Sequence, residues 1–109
     1  MEKSKIYYGI LNSYYGGMLN EHQKDVLRMY YDCDMSLSEI GDEMSITRQG
    51  VREVIVRCTK KLEEYESKLG LVGKIKNVSN ELSAIIKEEN MSDSVKERLE
   101  SVLSEIKEI

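Results

Sequence analysis

The chain has 109 residues, which suits one domain, or one domain with a helical extension. It contains no proline, which permits long helices, and its net charge is −4. That charge argues against coating nucleic acid or anionic membrane with the whole surface, although a local basic face stays possible. With no run of about 18 apolar residues and no secretion signal, we expect a cytoplasmic protein without membrane insertion.

Metal-ligating and catalytic side chains are few. Cys33 and Cys58 stand apart without a CxxC pair, and His22 is the only histidine. Since a zinc site needs several such ligands at close spacing, we expect no metal and no cofactor, with both cysteines buried in a reducing cytosol. No nucleophile, base and oxyanion donor can be assembled, so we expect no enzyme.

The first predicted helix covers residues 3–15 and ends at Gly16-Gly17. Tyrosines spaced seven apart within it are typical of core or subunit contacts, more than of base stacking. The residues expected to face inward are Ile6, Tyr7, Ile10, Leu11 and Tyr14.

The second predicted helix begins at Asn20, an N-cap that Gln23 can complete as a capping box. Asp32 and Asp34 mark its end and are expected to be solvated loop charges, not an acid/base pair. Its predicted apolar face is Val26, Leu27, Tyr30, Tyr31 and Cys33.

A helix-turn-helix is predicted at residues 36–60. Ser36 and Glu39 form a Ser-x-x-Glu capping box that opens a short third helix. After a tight turn at Ser45-Ile46, Thr47 caps a fourth helix that can run to Leu69. Gly70 is a natural C-terminal cap.

The apolar residues of this segment fit the packing that two steeply crossing helices require. A small residue is needed where the helices meet, and Gly41 supplies it. Ile46 fills the turn, and Val51 and Val54 continue the apolar face of the second helix. Ser45 departs from the glycine often found in the turn, where a left-handed conformation is needed.

The outward face of the fourth helix is the predicted nucleic-acid-binding surface. Residues 47–61 contain five basic side chains and only Glu53 as an acid. A solvated charged face would explain the charge alone, but charge together with the packing pattern favours a helix-turn-helix. Thr47 and Arg48 lie at the end that would enter the major groove first. The outward residues predicted to bind are Gln49, Arg52, Glu53, Val56, Arg57 and Lys60.

Residues 71–109 read as a helical hairpin broken at Glu88-Glu89-Asn90 and recapped by Ser92 with Asp93. We therefore predict an all-α fold, with a helix-turn-helix domain at residues 1–70 and a C-terminal hairpin. Exposed apolar stripes tend to find partners, so we expect the hairpin to join a homodimer. Its apolar seams, with spacings of four and three, are Leu71, Ile75, Val78, Leu82 and Ile85, then Val95, Leu99, Val102, Ile106 and Ile109.

Several short sequence motifs between Leu19 and Leu71 are shared with known proteins. They are Tyr30-Tyr31, Ser36-Leu37-Ser38-Glu39-Ile40, Thr47-Arg48-Gln49, Val51 and Lys61-Leu62-Glu63-Glu64-Tyr65-Glu66. This stretch resembles region four of bacterial sigma factors, and it is similar more specifically to the YlxM family of small helix-turn-helix proteins. Gly50 departs from the alanine expected there and weakens the helix slightly.

The resemblance implies a DNA-binding regulatory protein. Genes of this family lie beside those for the signal recognition particle protein and its receptor, which implies a link to that targeting pathway. A second hypothesis is a non-catalytic accessory module that binds the particle's RNA or its proteins. Duplex DNA is the expected partner on the first hypothesis, and particle RNA or particle protein on the second.

Overall fold

The computed structural model describes residues 5–88 and 90–108, and within these ranges every regular element is helical. The helices are α1 (Lys5–Tyr15), a 3₁₀ turn (Gly16–Met18), α2 (Glu21–Tyr31), α3 (Leu37–Met44), α4 (Arg48–Leu69), α5 (Leu71–Ile86) and α6 (Asp93–Lys107). The all-α prediction is confirmed. The predicted first two residues of α1, together with Glu89 and Ile109, lie outside the described residues. The chain divides after Gly70 into two compact units.

In the first unit, α4 is the helix on which the others assemble. It packs against α1, α2 and α3. One side of its first four turns is buried, and every fourth or third residue there faces the core. The buried apolar residues of the unit are Leu11, Tyr15, Leu19, Val26, Leu27, Ile40, Val51, Ile55, Cys58 and Leu62. Burial of this set is the main force that holds the four helices together.

The inward face of α1 differs from the predicted one. Ile6 is 76% exposed and Ile10 is 39% exposed, so the expectation that both face inward was wrong. The buried side of α1 instead includes Leu11 and Tyr15. On this side of α1 the hydroxyl of Tyr15 also donates to Glu66 of α4. The two isoleucines lie on the other side of the helix and face solvent.

The same kind of contact recurs one turn earlier in α4. The hydroxyl of Tyr8 donates to Glu63 Oε2 at 3.2 Å. Because Tyr8 and Tyr15 are seven residues apart, both lie on one side of α1 and reach acidic residues of one helix. The predicted tyrosine stripe is therefore a packing and hydrogen-bonding surface within the chain.

The end of α2 also departs from the sequence pattern. α2 stops at Tyr31, and Cys33 is exposed in the loop that follows, so its expected burial was wrong. The chain turns sharply here, since Asp34 has a φ of 54°, in the left-handed region. Helical spacing predicts burial of Cys33 only if α2 continues past Tyr31. Because the helix ends there, Cys33 does not lie on its apolar face. Cys58 is buried as expected.

The turn between α3 and α4 has the tight geometry of a helix-turn-helix. Ser45 ends α3 in the left-handed conformation, with a φ of 59°. The backbone N–H of Ile46 then donates to the carbonyl of Gly41 at 3.0 Å. A Cβ on Gly41 would lie only 2.7 Å from the carbonyl oxygen of Ile46, so this position has no room for a side chain. The role predicted for Gly41 thus has a direct physical cause.

The second unit consists of α5 packed against α6. Ser92 caps α6, its side chain accepting from the backbone N–H of Val95. The predicted seams were only partly right, because Val72, Ile86 and Leu103, one residue after predicted positions, are half-buried in place of those positions. Half-buried seam residues are Ile75, Leu82, Leu99 and Ile106. The exposed seam residues, at 38–47%, are Leu71, Val78, Ile85, Val95 and Val102.

We predict that Gly41→Ala destabilises the protein. The added methyl would push the turn away from α3, and such overpacking costs about 1–3 kcal/mol. Urea denaturation should show a lower midpoint than for the wild type. Gly17→Ala is the matched control, because a Cβ there meets nothing within 4 Å. Equal midpoints for Gly41→Ala and wild type would mean that the two helices do not meet at Gly41.

Glu39 should make stability depend on pH. The backbone N–H of Ser36 donates to Glu39 Oε1 at 2.8 Å, and this bond, followed by the side-chain contact with Ser36, lowers the pKa of Glu39 from its ordinary value of 4.5. A lowered folded-state pKa stabilises the protein above pH 4.5, and this contribution is lost as the pH falls through the folded pKa.

Glu39→Gln keeps an acceptor for Ser36 but does not titrate. The difference in unfolding free energy between wild type and Glu39→Gln should therefore shrink on acidification below pH 4.5. Glu43→Gln removes an exposed charge from the same helix and should leave the wild-type pH dependence in place. A difference that is constant from neutral to acidic pH would contradict the capping role of the Glu39 carboxylate.

Candidate nucleic-acid interface

The orientation of α4 is determined by its first turn. Thr47 has an extended backbone, and its side-chain oxygen accepts from the backbone N–H of Gly50 at 2.9 Å. Together with the left-handed Ser45 and the close approach at Gly41, this cap fixes the direction in which α4 leaves the turn. The backbone of the predicted motif is therefore held at both ends of the turn by short-range contacts.

All the residues predicted to bind nucleic acid are exposed. At roughly 100° per residue, those on the body of the helix share about half of its circumference, opposite the buried Val51, Ile55, Cys58 and Leu62. The exposed set is Thr47, Arg48, Gln49, Arg52, Glu53, Val56, Arg57 and Lys60. The structure thus brings the predicted side chains to one surface, which we call the α4 face.

Positive charge on the α4 face is not neutralised locally. Ion pairs lie elsewhere, at Lys5–Asp34 and Arg28–Asp25, and the basic side chains of the α4 face form none with the residues that the structure describes. Glu53 therefore has no ion pair with Arg57 in that part of the chain. Exposed guanidinium and ammonium groups without protein partners are available to phosphate oxygens.

The helix beside the α4 face has the opposite charge. The exposed side of α3 bears Glu39, Asp42 and Glu43 and no basic residue. Phosphates that approach α4 would be repelled by these carboxylates if they also approached the body of α3. The electrostatics therefore confine a polyanion to the α4 side of the motif.

Two of the clefts at the α4 face extend to α3. One is lined by Leu37, Arg48, Gln49 and Arg52, at the start of α3. The other is more apolar, and its lining is Tyr30, Leu37, Arg52, Ile55 and Val56. Arg52 and Leu37 belong to both clefts. Arg52 is therefore central to the surface, and it lines one cleft with polar residues and another with mainly apolar residues.

Sequence reasoning did not assign Leu37 and Tyr30 to this surface. Leu37 is only half-buried and lines both clefts. Its position in the sequence could have indicated this, because Leu37 is the first residue of a short helix and no preceding helical turn covers its side chain. Tyr30 gave no such signal, because its place beside α4 follows from the packing of α2 on that helix.

Apart from the α4 face, the described residues offer few groups for metal binding or reactive-thiol chemistry. Within residues 5–88 and 90–108, no group of three or more His, Cys, Asp or Glu residues is placed to hold a metal ion. Burial raises the pKa of the Cys58 thiol, an effect that nearby Lys61 and Arg57 partly oppose. Cys58 is thus a protonated core residue. None of the described helices is long and apolar enough to cross a membrane.

Comparison with known proteins gives a consistent result. Residues 1–102 match the model of a family described as "Putative helix-turn-helix protein, YlxM / p13 like". A UPF0122 protein of Desulforamulus reducens is 42% identical over 77 residues, which cover 71% of this chain and 66% of the relative. One from Clostridium acetobutylicum is 46% identical over 74 residues, covering 68% and 64%.

A third relative matches over its length. It is a UPF0122 protein of a Thermoanaerobacter species, 32% identical over 115 residues that cover 100% of this chain and 98% of the relative. For the first two relatives, the matched stretch spans just under two thirds of their own length. On the strength of the family model, which takes in the helix-turn-helix and most of the hairpin, the chain belongs to the YlxM / p13-like helix-turn-helix family.

Proposed function

We propose that this chain is a non-catalytic regulatory protein of the cytoplasm that binds duplex DNA through the α4 face. The observation that carries the proposal is the set of exposed basic side chains on the second helix of a helix-turn-helix, which form no ion pair with the described residues. In this motif the second helix enters the major groove with its N-terminal end. A chain of net negative charge with exposed basic residues on that helix meets the requirement for phosphate contact without coating DNA.

Different residues of the α4 face have different proposed contacts. Arg52, one turn in from the cap, presents two donors that match a guanine edge or two phosphate oxygens. Gln49 lies one turn earlier on the same face and matches an adenine edge. Arg57 and Lys60 lie further along and are assigned to phosphates. Glu53, without an ion pair among the described residues, can accept from a cytosine amino group.

We propose further that the chain is a homodimer joined through the α5–α6 hairpin. The packing of α5 against α6 leaves a column of apolar residues on each helix uncovered, and Val78 and Val102 of these columns are exposed at 47% and 44%. Two such hairpins packed as four helices would cover both columns. A second copy of the hairpin provides the same pattern of apolar columns.

A second candidate function is that of an accessory module of the signal recognition particle, to which the family resemblance also links the first candidate. Here the α4 face binds the particle's RNA, or the chain binds one of its proteins, as an accessory module. The acidic side of α3 favours this candidate, because Glu39, Asp42 and Glu43 oppose a long contact with a DNA backbone. A structured RNA could contact the basic helix alone.

The DNA proposal is tested with Arg52→Ala and Lys60→Ala. Arg52→Ala should weaken binding by about 1–3 kcal/mol and relax sequence preference, because it removes a contact to a base edge. Lys60→Ala should weaken binding evenly across sequences and reduce the salt dependence by about one unit of slope, because it removes one phosphate contact. Fluorescence anisotropy with duplex DNA in a salt series measures both.

Lys68→Ala is the control, since Lys68 is an exposed lysine in the last turn of α4. It should change neither affinity nor salt slope appreciably. A parallel titration with particle RNA separates the two candidates: binding to RNA alone would favour the accessory module. If Arg52→Ala and Gln49→Ala leave all nucleic-acid binding unchanged while the fold survives, α4 is not a reading helix.

The dimer proposal is tested with the double variant Val78→Glu/Val102→Glu. Two buried, unpaired carboxylates would oppose association of the hairpins, because burying a charge without a partner is costly. Sedimentation velocity at tens of micromolar should give a dimer for the wild type and a monomer for the variant. The control, Asn80→Glu/Ser101→Glu, adds the same charge at exposed positions beside the columns and should stay dimeric. A monomeric wild type would refute the proposal.

A further inference from the structure

The α4 face contains one apolar side chain at its centre. Val56 is 57% exposed, and it lies on the same stripe of the helix as Gln49 and Arg52, seven and four residues before it. A β-branched residue is a weaker helix former than the long polar side chains that usually occupy exposed positions. The intrinsic preference of the helix therefore does not explain a valine at this position.

The surroundings of Val56 are both polar and apolar. It lines a cleft with Tyr30, Leu37 and Ile55, which extends the apolar surface from the core to the α4 face. On its other side it borders a cleft lined by Gln49, Arg52, Glu53 and Arg57. The methyl groups of Val56 thus form the outer edge of an apolar patch, enclosed by groups that can make hydrogen bonds.

Only one group in the major groove matches such a patch. Base edges there present hydrogen-bond donors and acceptors, except for the C5-methyl of thymine, which apolar side chains contact. Four residues along an α-helix correspond to about 6 Å. Base pairs are about 3.4 Å apart. With α4 lying along the groove, Val56 would meet the edge of a base one or two pairs from that contacted by Arg52.

We infer that Val56 is a specificity residue that recognises the C5-methyl of a thymine one or two base pairs from the Arg52 contact. The inference rests on the proposed binding of duplex DNA by the α4 face. Uracil lacks this methyl group, so the contact also gives preference for DNA over RNA of the same sequence. No hydrogen bond is involved, and the contact works by excluding water from two apolar surfaces.

The experiment separates the methyl group from the rest of the base. The full chain is used to select tight-binding duplexes from a random library, and each thymine of the best duplex is then replaced by deoxyuridine. For the wild type, one such replacement in each bound site should weaken binding about fourfold, the value for one buried methyl group. For Val56→Ala the same replacement should have a clearly smaller effect, since both γ-methyl groups of the valine are gone.

Two control variants keep the result specific. Val56→Ile retains the branched apolar surface and should keep the difference between thymine and deoxyuridine. Met18→Ala removes another exposed apolar side chain, away from α4, and should also keep it. Helical circular dichroism checks that Val56→Ala is folded, which its exposed position and the high helix propensity of alanine favour.

The outcomes distinguish the inference from the proposal beneath it. If wild-type protein binds no duplex, the proposed function fails and the inference with it. If the protein binds a selected duplex but no deoxyuridine replacement weakens it, the inference alone is overturned. A replacement that weakens wild type and Val56→Ala equally also overturns it, because the methyl is then recognised by another residue.

Discussion

The close approach of the chain to Gly41 determines how α3 and α4 are arranged. The carbonyl oxygen of Ile46 lies where a Cβ of residue 41 would be, and the Ile46 N–H donates back to the Gly41 carbonyl. No other residue type leaves this space. The left-handed Ser45 and the Thr47 cap then follow, since the chain must reverse within three residues. The direction of the α4 face depends on this contact.

Because α4 packs against all three other helices of its unit, its two sides have different roles. The buried side provides much of the core, and the exposed side keeps its basic residues without protein partners among the described residues. Further along the helix, Glu63 and Glu66 accept from the hydroxyls of Tyr8 and Tyr15. Acidic residues of α4 are thus used in packing α1, while basic residues remain available. This separation allows a chain of net charge −4 to present a basic surface.

The hairpin shows a related division at the level of apolar residues. In a two-helix seam both the a and the d columns face the partner helix, and in α5 these columns contain the half-buried Val72 and Ile86 with Ile75 and Leu82. Ile75 and Leu82 are half-buried, whereas Val78 and Ile85 are exposed by 47% and 38%. An apolar column that the hairpin itself leaves uncovered is the physical basis for the proposed association of two copies.

Local chemistry in the sequence determined the helices, their caps and the place of the turn. Asn20 with Gln23, Ser36 with Glu39, Thr47 and Ser92 form the predicted caps, because each such bond joins residues only three apart. The exposed side of α4 was predictable for the same reason, since helical periodicity holds throughout a helix that the core orients. Tertiary structure decided what periodicity leaves open: which side of α1 is buried, that Cys33 lies outside α2, and which seam column stays exposed. Each of these outcomes depends on what lies next to the residue in the fold: a neighbouring helix, a carboxylate that accepts from a tyrosine, or the number of helices that pack together. Neither spacing nor composition specifies such partners.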